Sequence, residues 1–304
     1  MTVTTPLDAS ETARPARAIH PPQATIVQII REVWDARDLV MQFVQRDLTL
    51  RYVQAVMGFA WALLMPLLIV GAGIMFRIVL STLANSPLEG ASVASLAAKA
   101  LPWAFFSGAL AQATTSVIGN SNLISKVYFP REVLPLSTVI AQSPDLVVGL
   151  VVVAGVMPFI DKGGLSLNGL WVFGVLLLLM LFTVGCALFL SCANLFYRDV
   201  KYITQVLLNF GVFATPVFFE PQMLGPKGAA IMMVLPLSPF IQAMDVALVH
   251  GHSLMSTVVM ATRKGNVVVW APWMLAYAAG WTILLVITGS HVFRSASSRF
   301  AEVA

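Results

Sequence analysis

Apolar and polar positions alternate along this chain in two distinct rhythms. From Ile26 the apolar residues Ile26, Ile30, Val33, Trp34, Val40, Phe43, Val44 and Leu48 recur three or four apart. Arg31, Glu32, Asp35, Arg37, Asp38, Arg46 and Asp47 fill the gaps. That spacing predicts an amphipathic helix too charged to cross a bilayer, lying on its surface or against a partner protein, two readings that are not exclusive. Beyond it the rhythm gives way to long apolar runs, each near the roughly 20 residues a spanning helix needs. They are Met57–Leu80, uncharged until Arg77; Ala100–Ser125, rich in small residues; Val133–Ile160, with Asp145 alone; the middle of Gly163–Tyr197; Tyr202–Phe219; and Val267–Thr288. Ala229–Val249 is long enough to span, but Pro236 and Pro239 sit at its middle. Two prolines that close break a helix, so this segment is expected to form two half-helices that dip in and return. The expected fold is an all-α integral membrane protein with six spans and both termini on one side.

Composition agrees. Of 304 residues, 58% are hydrophobic and 11% charged, where soluble domains carry roughly 25% charge. A soluble enzyme, a disordered tail protein and a nucleic-acid binder are excluded; the net charge of +4 is scattered, not clustered. Six spans put Arg14, Arg17, Arg31, Arg37, Arg46, Arg51, Lys126, Arg131, Arg198, Lys201, Arg294 and Arg299 on the side of the N-terminus. Only Lys99, Lys162, Lys227, Arg263 and Lys264 fall opposite. Basic residues favour the cytoplasmic side, so both ends are expected there. Residues 1–24, with four prolines, read as a flexible cytoplasmic tail without the apolar stretch of a signal peptide. Residues 294–304 form a short cytoplasmic tail.

Little in the chain points to chemistry of its own. It has no phosphate-binding loop with which to hold ATP, and no hydrolase or metalloprotease motif. Cys186 and Cys192 read as small apolar fillers. His250 and His252 lack companions for a metal. Asp145 is the one acid well inside a main span, with no basic partner on another span. A helix–helix hydrogen bond or a water-facing position is expected for it rather than ion coupling. Asp47 and Arg51, four apart with the acid first, are expected to pair and leave Arg46 free. In the loop Asn122–Pro135, Tyr128 and Phe129 lie beside Lys126, Arg131 and Glu132. Such a group suits a docking knob or, as composition alone favours, interfacial anchoring.

Several motifs, in order, cover most of residues 45–220: Arg46-Asp47-Leu48-Thr49-Leu50-Arg51-Tyr52, then Gly58 to Leu67; Leu101-Pro102-Trp103-Ala104-Phe105-Phe106; Gly119-Asn120, then Pro130 to Pro135; Asn194 to Tyr202; and Ala214-Thr215-Pro216-Val217. Together they resemble the transmembrane subunits of type-2 ABC exporters that move O-antigen, capsule or teichoic-acid polysaccharides. The resemblance implies a transport subunit in the bacterial inner membrane, not an enzyme, and a homodimer served by two copies of a separate ATPase that holds ATP and Mg. It implies an interface helix within residues 25–56, a transport domain over residues 57–293, and a re-entrant pair in Met223–Val249 near the exit. Leu123, Ser125, Lys126, Tyr128, Phe129, Arg131 and Glu132 become the coupling segment that grips the ATPase, with Arg198 and Asp199 in a second loop. Arg46, Arg51 and Tyr52 are the candidate entrance: the guanidinium fork of a free Arg46 suits the diphosphate of a polyprenyl-linked glycan or lipid head groups, with ordinary positive-inside anchoring as the alternative. Aromatic rings suit the apolar faces of sugars, which makes Phe59, Trp61, Trp103, Phe105, Phe106, Phe210, Phe213, Phe218 and Phe219 the candidate path. The chain departs from the pattern in its longer N-terminal tail and in the loop His250–Asn266. A permease for drugs or other lipids is the rival within transport. A membrane enzyme acting on polyprenyl sugars would need clustered acids, and Glu89, Asp161 and Glu220 stand apart. An ion-coupled transporter is disfavoured by the scarcity of intramembrane charge.

Overall fold

The computed structural model describes residues 26–52, 60–84, 90–124, 126, 129–160, 166–262 and 265–297. The two chain ends beyond these, with Phe59, Ser125, Tyr128 and the side chain of Trp61, lie outside the described residues.

Helices α1 (Ile26–Asp35) and α2 (Arg37–Tyr52) meet at Ala36. α2 buries Val40, Phe43 and Val44 in a small core with Val117, Ile124, Val133, Leu134 and Phe293. α3 (Ala60–Ala84) and α4 (Gly90–Gly119) follow, and α4 is the hub of the fold. A one-turn α5 (Ser121–Ile124) ends the second run. The third run is two helices, α6 (Val133–Ala141) and α7 (Ser143–Ile160). Pro144 explains the break. It has no N–H to give the carbonyl of Ile140 one turn back, and the Ser143 hydroxyl donates to that oxygen instead, at 2.7 Å.

α8 (Trp171–Phe196) and α12 (Pro272–Ser297) form a close helix pair. A Cβ on Gly289 would lie 2.7 Å from the carbonyl oxygen of Gly185, and one on Gly185 would lie 2.8 Å from the backbone of Leu285 and Val286. The two glycines let the backbones touch, as small residues do in membrane helices. α9 (Val200–Ala214) is a shorter apolar helix. α10 (Pro221–Val234) and α11 (Ser238–Met244) are separated by the Pro236 break, and the two arms bend by 116°. Gly225 takes φ +75° just before Pro226 and kinks α10 as well.

Among the described residues, the third run (Val133–Gly155), Leu167–Phe196 and Pro272–Ser297 are helical stretches long and apolar enough to cross a membrane; the bent α10–α11 pair adds a fourth only when its two arms are counted as one span. The chain is a mostly helical, multi-pass membrane protein.

The structure corrects the sequence reading in two places. The chain is not wholly α: β1 (Val258–Thr262) and β2 (Gly265–Trp270) form an antiparallel hairpin. The last apolar run therefore begins as a strand, because the β-branched Val267-Val268-Val269 suits a pleated surface. The helix starts at Pro272, a favoured first helical residue. Second, the helix of the second run starts earlier than its apolar run, which the sequence places from Ala100. α4 begins ten residues before Ala100, and Lys99 is buried inside it.

Candidate functional site

The last turn of α2 crosses α4 and the α6–α7 junction, and a polar cluster forms there. Asp145 accepts hydrogen bonds from Arg51 Nη1 at 3.1 Å, from Gln142 Nε2 at 2.9 Å and from the Tyr52 hydroxyl. Arg51 also donates to Gln112 Oε1 on α4 at 2.8 Å. Burial, then the hydrogen bond to Asp145 and its charge, push the Tyr52 phenol up to about 12. Arg46 donates to Asp47 at 2.8 Å and to Asn120 Oδ1 at 2.8 Å, and its guanidinium lies 4.7 Å over the Phe43 ring.

Two expectations are thereby corrected. Asp47 pairs with Arg46, not with Arg51. Arg46 is engaged, although its side chain remains 38% exposed. Asp145 draws its basic partner, Arg51, from the surface helix α2 and not from another span. An exposed i,i+4 pair is worth about 0.3–0.5 kcal/mol, and multiple tertiary hydrogen bonds to charged groups outweigh it.

The loop after α4 divides into two faces. Leu123 and Lys126 point outward and are exposed. Phe129 turns inward, its ring 6.0 Å from that of Phe43. Glu132 is buried and accepts from Arg294 Nε at 2.9 Å, while Arg294 Nη2 bonds Glu32 on α1. Arg131 donates to the Ser297 carbonyl. The charges of this loop thus tie together α1, α6 and the end of α12. Arg198 and Asp199 lie in the exposed turn between α8 and α9. Asn194, which sequence reasoning missed, pins that turn. Its Nδ2 donates to Thr114 O at 3.0 Å and its Oδ1 accepts from Lys201 N at 3.1 Å. The available signal was a lone amide at the end of an apolar run, inside a motif already noticed.

A groove of about 450 Å³ opens between α3, α4 and α9. Trp103 and Phe218 supply rings, and Ser107, Gln205 and Asn209 supply polar groups. Gly211 allows the fit: a Cβ there would lie 2.9 Å from Trp103 Cη2. The predicted aromatic path is thus split. Trp103 and Phe218 line the groove. Phe105 is core, and Phe106 packs between Trp103 and Phe182 at 6.2 and 5.9 Å. Phe219 stacks edge-on to Phe76 at 5.2 Å. Phe210 and Phe213 are exposed on the outer face of α9. Among the described residues no cluster of three His, Cys, Asp or Glu side chains is placed to hold a metal.

The family model for ABC-2 type transporters matches residues 38–249, more than half of the chain. The chain belongs to the ABC-2 type transporter family. Within this ABC-2 chain the matched region takes in the polar cluster, the loop after α4, the groove and the bent pair. An O-antigen export system permease from Myxococcus xanthus is 27% identical over 288 residues, covering 91% of this chain and 99% of its own. A permease of the same description from Klebsiella pneumoniae is 24% identical over 269 residues, covering 88% and 95%.

Proposed function

We propose that this chain is the permease subunit of an ATP-driven exporter that moves a polyprenyl-linked polysaccharide, an O-antigen, capsule or related glycan, across the bacterial inner membrane. The observation that carries this is similarity along nearly the whole chain to permeases described as O-antigen exporters. The groove is chemically apt for such a cargo: Trp103 and Phe218 offer rings to sugar faces, and Ser107, Gln205 and Asn209 offer partners to hydroxyls. This chain is a transport subunit rather than an enzyme.

In this reading six spans, α3, α4, α6–α7, α8, α9 and α12, leave both termini cytoplasmic, and α10–α11 is re-entrant from the outer side. ATP and Mg belong to a separate ATPase, present in two copies beneath a homodimer of this chain. The exposed apolar row Ile203, Val206, Leu207, Phe210 and Phe213, on the face of α9 turned away from the groove, supports a second copy packing there. Leu123, Lys126 and Tyr128, with the Arg198-Asp199 turn, meet the ATPase. Phe129, Arg131 and Glu132 pass its motion inward. Arg51 and Tyr52 shape the entrance, and the exposed part of Arg46 is the member available to a substrate phosphate.

Purification of the tagged chain with its genomic neighbours tests the proposal. A nucleotide-binding subunit should co-purify, and deletion of the permease should trap lipid-linked glycan on the cytoplasmic leaflet. A chain that purifies alone, in cells whose surface glycan is unchanged by its deletion, would refute it.

A further inference from the structure

Far from the polar cluster at Asp145, a second charge pair is buried in the fold. Lys99 Nζ on α4 lies 3.2 Å from Asp245 Oδ2, with side chains 1% and 4% exposed. Asp245 begins a π turn, Asp245–Val249, that continues α11. Wide turns of this kind gather at functional sites. Its remaining polar neighbours are local: Gln242 Nε2 at 3.4 Å and His250 Nε2 at 3.8 Å, both on the same carboxylate oxygen. Lys99 is therefore the polar link from Asp245 to another element, joining the bent α10–α11 pair to the hub helix.

The link is only half satisfied. Asp245 Oδ1 and Gln242 Oε1 are buried without a hydrogen-bond partner among the described residues. So are Ser238 Oγ, one turn before Gln242, and Ser95 Oγ, one turn before Lys99. Two helix faces meet here across apolar surroundings with four polar atoms unpaired. A buried ion pair generally stabilises a fold no better than apolar residues of the same shape. Its distinguishing property is that separation in water returns hydration to both charges, which separation of an apolar pair does not.

We propose that Lys99 and Asp245 form a charge latch between α4 and the re-entrant pair. It seals the outer end of the path when shut and lowers the cost of opening, because water entering the seam satisfies the pair and the four unpaired atoms. Both are positioning residues for transport. The inference rests on the exporter reading given above.

The test uses the assembled permease–ATPase complex with the native Cys186 and Cys192 replaced. Ser95→Cys places a small thiol in the seam. His252→Cys first establishes which membrane face the nearby loop occupies, and an impermeant maleimide is then applied from that face. Labelling of S95C should be low at rest and rise during ATP turnover with substrate. In K99M/D245L the complex should keep its assembly and a thermal midpoint at or above that of the parent. Export should fall about tenfold, and the turnover-dependent labelling should disappear. Parent-level export by K99M/D245L would overturn the latch. So would S95C labelling that turnover leaves unchanged in the otherwise intact complex, a result independent of whether the double variant folds. A failed exporter reading would show itself separately, as a complex without an ATPase.

Discussion

Replacing Asp145 by Asn isolates one charge in the cluster at the end of α2. The amide keeps the size of the carboxylate and one acceptor oxygen for the Tyr52 hydroxyl. It removes the negative charge that faces Arg51 at 3.1 Å. Arg51 and Asp145 are 19% and 16% exposed, so water screens them only in part. Breaking a fully buried pair costs about 3–5 kcal/mol, and a hydrogen bond to a charged group contributes about 1.5–3 kcal/mol. With Gln112 still holding Arg51 at 2.8 Å, the lower range applies, and D145N should destabilise the permease by about 1.5–3 kcal/mol. R51M/D145L removes both charges and should recover much of that loss. Thermal unfolding of the purified complex in detergent reads the difference. Export per assembled complex should be almost unchanged and indifferent to collapse of the proton gradient. A D145N complex as stable as the parent would refute the anchoring argument. Full stability with loss of export would instead make Asp145 a transport residue.

Other consequences are separately testable. Glu132→Gln should cost about 1.5–3 kcal/mol by releasing Arg294; a variant of parent stability would show that the buried contact contributes nothing. Tyr128→Ala should leave the permease folded but uncouple ATP hydrolysis from export, since a docked aromatic anchor contributes about 2 kcal/mol or more; normal export by the variant would end the docking role. Arg46→Gln should lower export with assembly intact if the exposed guanidinium meets phosphate, and parent-rate export would leave Arg46 an anchor alone. Gly289→Ala forces a methyl against the Gly185 carbonyl and should destabilise by about 1–3 kcal/mol, read as a lower thermal midpoint. The Tyr52 phenol, raised from 10.0 to about 12, favours the fold in its neutral form. Its contribution is complete below pH 10.0 and is lost as pH rises through about 12; Tyr52→Phe should remove the late-titrating tyrosinate absorbance.

Helices, breaks and the bent pair were legible because they follow from local rules. Pro236 and Pro239 forbid a continuous helix whatever surrounds them, and the apolar runs leave no water-facing alternative. Charges were harder to read. Hydropathy treats Lys99 as a mark of the membrane boundary, yet its cost depends on Asp245, 146 positions away. Arg51 and Asp145 belong to segments read apart, one as surface helix and one as span, so their meeting had no signal in either. The same holds for Arg294, whose partners Glu132 and Glu32 lie 162 and 262 positions away. Val267-Val268-Val269 failed for another reason. A short β-branched run satisfies strand and helix patterns alike, and only the hairpin with Val258–Thr262 decides between them.

The contact of Gly185 with Gly289 leaves no side chain between α8 and α12 to act as a cushion there. Helices separated by flexible side chains can slide a little past one another; two backbones in direct contact lock their register instead. At 1.5 Å per residue, α12 is a strut about 39 Å long, more than the roughly 30 Å of a bilayer's hydrocarbon. Its C-terminal end holds Glu132 and Arg131 through Arg294 and Ser297. A tug on the loop after α4 therefore does not dissipate in side-chain play. It is delivered as one displacement of a two-helix beam, which in the exporter arrangement proposed above runs from the ATPase side to the side where cargo leaves.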